Sequence, residues 1–319
     1  MIAEPPDAAF AYTDTHTWLH RVREGLPPMI LCVAINGGVQ GRETSEAIPE
    51  TPSAIAESVA EAQAAGAVMV HVHARDPERL WAGARRVDQW QEVIAAIRQA
   101  APGLIINATT GGDLDMTMDE RLAALDAGPD IASLNLTPDM SRVHFRAREA
   151  PLPHPTPARD FDGCIPFSYA TLHAFAGAMQ QRGIRPELEL YHPGGHWAIR
   201  DLIAHGLISP PYWVQTVMGY QTASYATPQG VLDLLRDLPE GALWLCAGIG
   251  PYQLPLNTLA TLMGGHVRVG LEDNIYYARG RKFRSNAEAV ARAIRIAEDL
   301  NRPVADCAMA RSMLGLAAH

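Results

Sequence analysis

Eight short apolar runs, each followed by a stretch of helical character, leave this 319-residue chain few folds to choose from. The runs are MILCVAI (29–35), AVMVHVH (67–73), GLIINAT (103–109), DIASLNL (130–136), ELELY (187–191), YWVQTVMG (212–219), ALWLCAGI (242–249) and HVRVGL (266–271). Near-continuous hydrophobicity means burial on both faces, as in a parallel sheet whose crossovers are helices. The intervening segments carry helix punctuation. Thr51-Pro52 offers an N-cap and a first-turn proline, with Gly66 as the stop, and Thr227-Pro228 repeats the device. Ser285-Asn286-Ala287-Glu288 reads as a capping box. Eight such units predict a (β/α)8 TIM barrel as the catalytic domain over 29–319, with residues 1–28 an N-terminal extension outside the repeat. That extension has three candidate places: over the barrel's N-terminal face, against a neighbouring subunit, or partly mobile. The Pro-rich PLPHPTPARDFDG (151–163) is read as an ordered loop between the fourth and fifth strands.

Charge and cysteine usage narrow the class. A net charge of −9 disfavours nucleic acid as a partner, because that binding needs clustered Lys and Arg. Cys32, Cys164, Cys246 and Cys307 are widely spaced and form no CxxC, which fits reduced thiols in a cytoplasmic setting. The first residues lack a basic stretch leading into an apolar core, and no run approaches membrane-spanning length. The expectation is a soluble protein acting on small molecules, with no membrane partner.

Chemistry concentrates at the predicted strand ends. His71-Val72-His73 closes the second strand, and residues two apart on a strand point to one side, so both imidazoles reach one point above the barrel's C-terminal rim. Two neutral imidazoles suit Zn2+, Fe2+ or another divalent metal and call for at least one further ligand. Just past the eighth strand stand Glu272 and Asp273, and a two-His, one-Glu set leaves coordination positions open. By alternation Arg268 points inward, where it needs a partner; Glu187 or Glu189 of the fifth strand is the expected one. Gly-rich turns follow the first, third and seventh strands (Asn36-Gly37-Gly38, Thr110-Gly111-Gly112, Gly248-Ile249-Gly250), and Thr109 and Ser133 add hydroxyls at the same rim.

In their order, AINGG, ETP, AGAxxVHVHARD, ATTGG, PELELY, CAGIG and above all GGHVRVGLEDN resemble the β-keto acid cleavage enzymes, from about residue 29 to the C-terminus. The resemblance implies a TIM barrel, usually a homotetramer, with one Zn2+ per subunit on His71, His73 and Glu272. It implies Asp273 as the general base, and Arg268, Glu189 and Thr109 as a triad orienting the reacting groups. Gly112 and Ser133 match positions that grip the substrate carboxylate. The implied reaction condenses a β-keto acid with the co-substrate acetyl-CoA, through a metal-stabilised enolate and retro-Claisen cleavage, to give acetoacetate and a new acyl-CoA. Thr109 stands where a family member has Ser and Ser133 where it has Thr, so the hydroxyls are kept, and one departure matters. Where a family member acting on an amino substrate has Glu, this chain has Val39, so a neutral, apolar tail is expected. Arg42 offers an acidic tail as the alternative, and Glu43 could return a carboxylate from a shifted position.

Two other readings compete. A metal-dependent hydrolase of the amidohydrolase type also uses HxH on a barrel strand, but on the first strand, with further histidines on later strands, and without CoA. A non-catalytic metal-binding scaffold would gain little from carboxylates at the barrel's active face.

Overall fold

The computed structural model describes residues 12–112, 116–165 and 167–317; the first eleven residues of the extension lie outside the described residues. Eight parallel strands form a closed barrel: β1 (Leu31–Ala34), β2 (Met69–Val72), β3 (Ile105–Ala108), β4 (Ile131–Asn135), β5 (Arg185–Leu190), β6 (Tyr212–Met218), β7 (Ala242–Gly248) and β8 (His266–Val269). They pair in chain order, and β8 returns to β1 through Leu31–Val267, Cys32–Arg268 and Val33–Val269. Each predicted run holds one strand. A helix follows each in turn: α2 (Pro52–Ala64), α3 (Val87–Ala100), α4 (Met118–Asp126), α5 (Tyr169–Gln181), α6 (Gly195–Ala204), α7 (Pro228–Leu235), α8 (Gln253–Met263) and α9 (Asn286–Asp299). Two more flank the repeat, α1 (Thr15–Glu24) and α10 (Cys307–Met313). The fold is a (β/α)8 TIM barrel.

Helix starts follow the sequence signals. Thr51 and Thr227 accept from the backbone N–H groups of Ala54 and Gly230, each with proline at the first helical position. Ser285 accepts from the Glu288 N–H, but the reciprocal half of the expected box is displaced. The Glu288 carboxylate instead takes the Arg284 N–H and the guanidiniums of Arg281 and Arg284, which outcompete a neutral amide as charged donors.

The bottom of the barrel is closed by the chain's other end. Ala310, Met313 and Leu314 pack against Ile30, Met69, Ile105 and Trp213, so the C-terminal segment covers the N-terminal face that residues 1–28 were one candidate to cover. Of the extension, Tyr12 is buried edge-on against Trp244, and its hydroxyl accepts from the Trp244 N–H.

At the opposite rim three antiparallel hairpins extend the loops: Arg75–Asp76 with Arg79–Gly83, Asp139–Phe145 with Arg159–Ile165, and Tyr276–Ala278 with Arg281–Lys282. The second corrects the loop expected over 151–163. Residues from Arg159 onward pair back from Phe145–Arg159 to Asp139–Ile165. The prolines at 151, 153, 155 and 157 have no N–H for a ladder and stay at the hairpin's tip, and the strand starts where they stop.

Candidate active site

The barrel register brings the HxH strand end and the β8 loop together. His71 stands between Ala34 of β1 and Asn107 of β3, and β8 lies on the far side of β1. The chain then turns back after β8, so that the Glu272 N–H donates to the Ala34 carbonyl. Three donor atoms converge as a result. His71 Nε2 and His73 Nε2 are 3.3 Å apart, and Glu272 Oε1 lies 3.5 Å from the first and 3.4 Å from the second. Gly37 makes this approach possible: its φ is +62°, and a Cβ there would sit 2.6 Å from Glu272 Cγ. Asn36 fixes His73 by the backbone, its side chain donating to the His73 carbonyl and accepting from the His73 N–H at 2.8 and 3.1 Å.

The triangle fits a metal ion. Ligands about 2.0–2.1 Å from a common centre lie about 3.0–3.4 Å from their neighbours, close to the separations found here. Burial pushes the His71 imidazole down to about 3, so it stands neutral with a lone pair to give. Burial alone would raise the Glu272 carboxyl; the charge of Arg268 holds it well below the usual range. Glu272 Oε2 and His71 Nδ1 are buried without a hydrogen-bond partner among the described residues.

The Arg268 guanidinium stands near four carboxyl groups, those of Glu187, Glu189, Glu272 and Asp273. Its Nε and one terminal nitrogen clamp Asp273 at 2.9 and 2.8 Å, and the same terminal nitrogen reaches Glu272 at 2.6 Å. Gln215 on β6 lies 3.4 Å from the other. The ion pairs therefore run to the β8 loop and not to Glu187 or Glu189. Physically, the loop folds its two carboxylates back over the strand that carries Arg268, nearer than any neighbouring strand can come. Glu187 accepts from the Trp213 indole at 2.8 Å instead. Glu189 is buried, and burial together with the charge of Glu187 pushes it up to about 8. Asp273 is raised by burial to about 6 against the pull of Arg268. The Glu272 and Asp273 carboxylates together outweigh the single charge of Arg268, which favours a divalent cation at the triad.

The chain matches the β-keto acid cleavage enzyme profile over residues 28–316. It belongs to that family. It is 32% identical over 289 residues to the 3-keto-5-aminohexanoate cleavage enzyme of Fusobacterium nucleatum, covering 90% of this chain and 98% of that one. It is also 32% identical over 295 residues to the 3-oxoadipate:acetyl-CoA acetyltransferase of Cupriavidus necator, covering 91% and 95%. Among solved structures, the ternary complex of ObcA with a C4-CoA adduct and oxalate aligns with a TM-score of 0.67 at 21% identity. That alignment covers 85% of this chain and 68% of ObcA and bears on the fold. The amidohydrolase alternative is not favoured: here HxH ends β2, and the family match spans nearly the whole chain.

In this family member, His71, His73, Glu272, Asp273 and Arg268 come together as one constellation. Of the other anticipated residues, Thr109 and Gly112 follow β3, Ser133 lies in the middle of the neighbouring β4, and Glu189 is near the end of β5. Thr109 Oγ1 accepts from the Gly111 N–H, and Ser133 Oγ accepts from the Thr110 N–H. Gly112 abuts Met116 and Arg121 so closely that a Cβ would lie 2.6 Å from the Met116 sulfur. Sequence reasoning missed Asn36, Gln215 and Arg75, whose guanidinium holds the carbonyls of Asn36, Gly37, Gln40 and Leu80. Asn36 was visible only as part of a glycine turn. His173, Asp201 and His205 also cluster, but on α5 and at the end of α6, outside the strand ends. No helix among the described residues is long and apolar enough to cross a membrane.

Proposed function

We propose that this enzyme condenses a β-keto acid with acetyl-CoA to give acetoacetate and a new acyl-CoA, at a metal centre held by His71, His73 and Glu272. The observation that carries the reading is the donor triangle set beside an arginine-held carboxylate at the barrel's C-terminal rim, where TIM-barrel active sites lie. Relatives named for acetyl-CoA-dependent transfer from 3-oxoadipate and 3,5-dioxohexanoate support the co-substrate. An N2O donor set that leaves positions open would make Zn2+ the first choice and Fe2+ the second. When bound, the cation supplies Lewis-acid polarisation of the substrate carbonyl.

Asp273 is the base. Raised to about 6, it is ionised at neutral pH yet basic enough to take a proton from the carbon between ketone and carboxylate. Arg268 orients it through two hydrogen bonds. The freed carbon attacks the acetyl-CoA carbonyl and expels the CoA thiolate. The thiolate then adds to the original ketone, the bond between that carbonyl and the attacking carbon breaks, and the proton returns from Asp273 to give acetoacetate. Glu189 and Thr109 orient the reacting groups, and Gly112 and Ser133 hold the carboxylate. A homotetramer is the expected assembly, and the cytoplasm its expected compartment.

Metal analysis and turnover of three proteins test the centre. Wild type should carry one divalent ion per subunit, and His73→Ala should lose it. Asp273→Asn should keep it while turnover falls about 10²–10⁴-fold. Metal kept by both His71→Ala and His73→Ala would remove the ligand assignment, and metal lost from Asp273→Asn would make Asp273 a ligand.

A further inference from the structure

The loop that presses on the donor triangle continues into a second cavity. A Cβ on Gly38 would lie 3.3 Å from His73 Nδ1, and Gln40 donates its side-chain amide to the carbonyls of Leu271 and Glu272 at 2.8 and 3.2 Å. Val39 and Gln40 form one wall of a cavity of about 310 Å3, completed by the hairpins that follow β2 and β4. It begins, therefore, one residue from the triad.

Four arginines line this cavity against one glutamate. Two are committed within the protein. Arg148, buried, is bidentate to Glu50 at 2.7 and 2.8 Å and reaches Glu43 at 3.0 Å, while Arg75 holds the loop carbonyls. The other two, Arg146 and Arg159, have no carboxylate within ion-pair distance among the described residues. Arg159 stands with its guanidinium carbon 4.3 Å from the Trp81 ring centroid and 4.2 Å from that of Phe145. Aromatic rings cover guanidinium faces and leave its N–H edge, the part that grips an anion bidentately. Glu43, the cavity's one carboxylate, is occupied by the Gly41 N–H and Arg148, so it does not restore a site for an ammonium. The Arg42 backbone is tied to Glu50, and its side chain is not part of the cavity wall.

We infer that this cavity is the subsite for the far end of the β-keto acid and that it selects an anionic group there, such as a second carboxylate, with Arg159 as the specificity-determining residue and Arg146 assisting. This replaces the apolar tail expected from Val39, and it rests on the β-keto acid reading above. An ammonium would meet positive charge that no carboxylate answers, and an alkyl tail would cover the half-buried Arg159 guanidinium without pairing it, while the exposed Arg146 stays solvated.

The test measures kcat/KM for 3-oxoadipate, 3-oxohexanoate and 5-amino-3-oxohexanoate in metal-loaded wild type, Arg159→Met and Arg159→Lys. Ratios between substrates cancel any loss of active protein. Wild type should prefer 3-oxoadipate to 3-oxohexanoate by roughly 10-fold or more, and Arg159→Met should cut that ratio by roughly 10- to 100-fold. Arg159→Lys should fall between, keeping the charge but not the fork. A wild-type preference for the alkyl or amino acid overturns the inference, as does an unchanged ratio in Arg159→Met; an unchanged ratio with a raised KM for acetyl-CoA would assign Arg159 to the CoA phosphates. If no β-keto acid is turned over, the functional reading fails, and calorimetry still decides this point. Glutarate should bind wild type more tightly than valerate and lose that advantage in Arg159→Met; equal binding to wild type overturns the subsite.

Discussion

Replacing Arg268 by methionine in metal-free protein probes the charge arrangement at the rim. Arg268 is 5% exposed and makes three short hydrogen bonds to Asp273 and Glu272. Its removal strands two carboxylates, and breaking a buried pair costs about 3–5 kcal/mol. For a chain of 319 residues, an unfolding entropy of about 2.1 cal/mol/K per residue turns that into a fall in Tm of about 4–8 °C. The cost should be shared unequally between candidate partners. Arg268→Met combined with Asp273→Asn removes both ends of a contact, so the double loss should fall short of the sum by about 2–3 kcal/mol. Combined with Glu189→Gln, the losses should add to within about 0.5 kcal/mol. Glu189, pushed up to about 8, is already largely protonated at pH 7, and glutamine mimics that form. Urea unfolding at pH 7, followed by circular dichroism, gives both cycles. Coupling of Arg268 to Glu189 rather than to Asp273 would refute the arrangement described here.

Other consequences are measurable in the same preparations. Glu189 is raised from an ordinary 4.5 to about 8, so the folded protein holds a proton that the unfolded chain releases. Stability from this group is full below about 4.5 and lost as pH rises through about 8. Unfolding free energy of the metal-free protein should therefore fall between pH 5.5 and 8.5, and less so in Glu189→Gln; an identical slope in the variant contradicts the assignment. Asn36→Ala frees the His73 backbone and should weaken metal affinity about 10–100-fold in a competition titration with a chromogenic chelator, and unchanged affinity would deny Asn36 that role.

The barrel and the strand-end residues that converge at its rim were legible for the same reason. Strands buried on both faces read as unbroken apolar runs, so a polar residue among them, His71 or Arg268, marks itself. Alternation along a strand then tells which side a residue takes, and that sufficed to unite His71 with His73. It could not tell that the β8 loop folds back so that Asp273 and Glu272 take Arg268 before Glu189 can. Nor does periodicity speak for Asn36, which acts through the backbone of a residue 37 positions away. The hairpin of 139–165 escaped for a different reason. Its strands are half-exposed and polar, and four prolines at its tip read as loop. Where α10 docks is decided by the empty bottom of the barrel, which no local pattern of a seven-residue helix records.

Isotope tracing bears most directly on the chemistry. Metal-loaded protein is given an unlabelled β-keto acid and acetyl-CoA labelled with 13C in the acetyl group, and the products are read by NMR. If the keto acid supplies the carboxylate and its neighbouring carbon, the label should appear only in the acetyl end of acetoacetate, and the new acyl-CoA should carry none. Cleavage without acetyl-CoA, or label in the new acyl-CoA, would contradict the account.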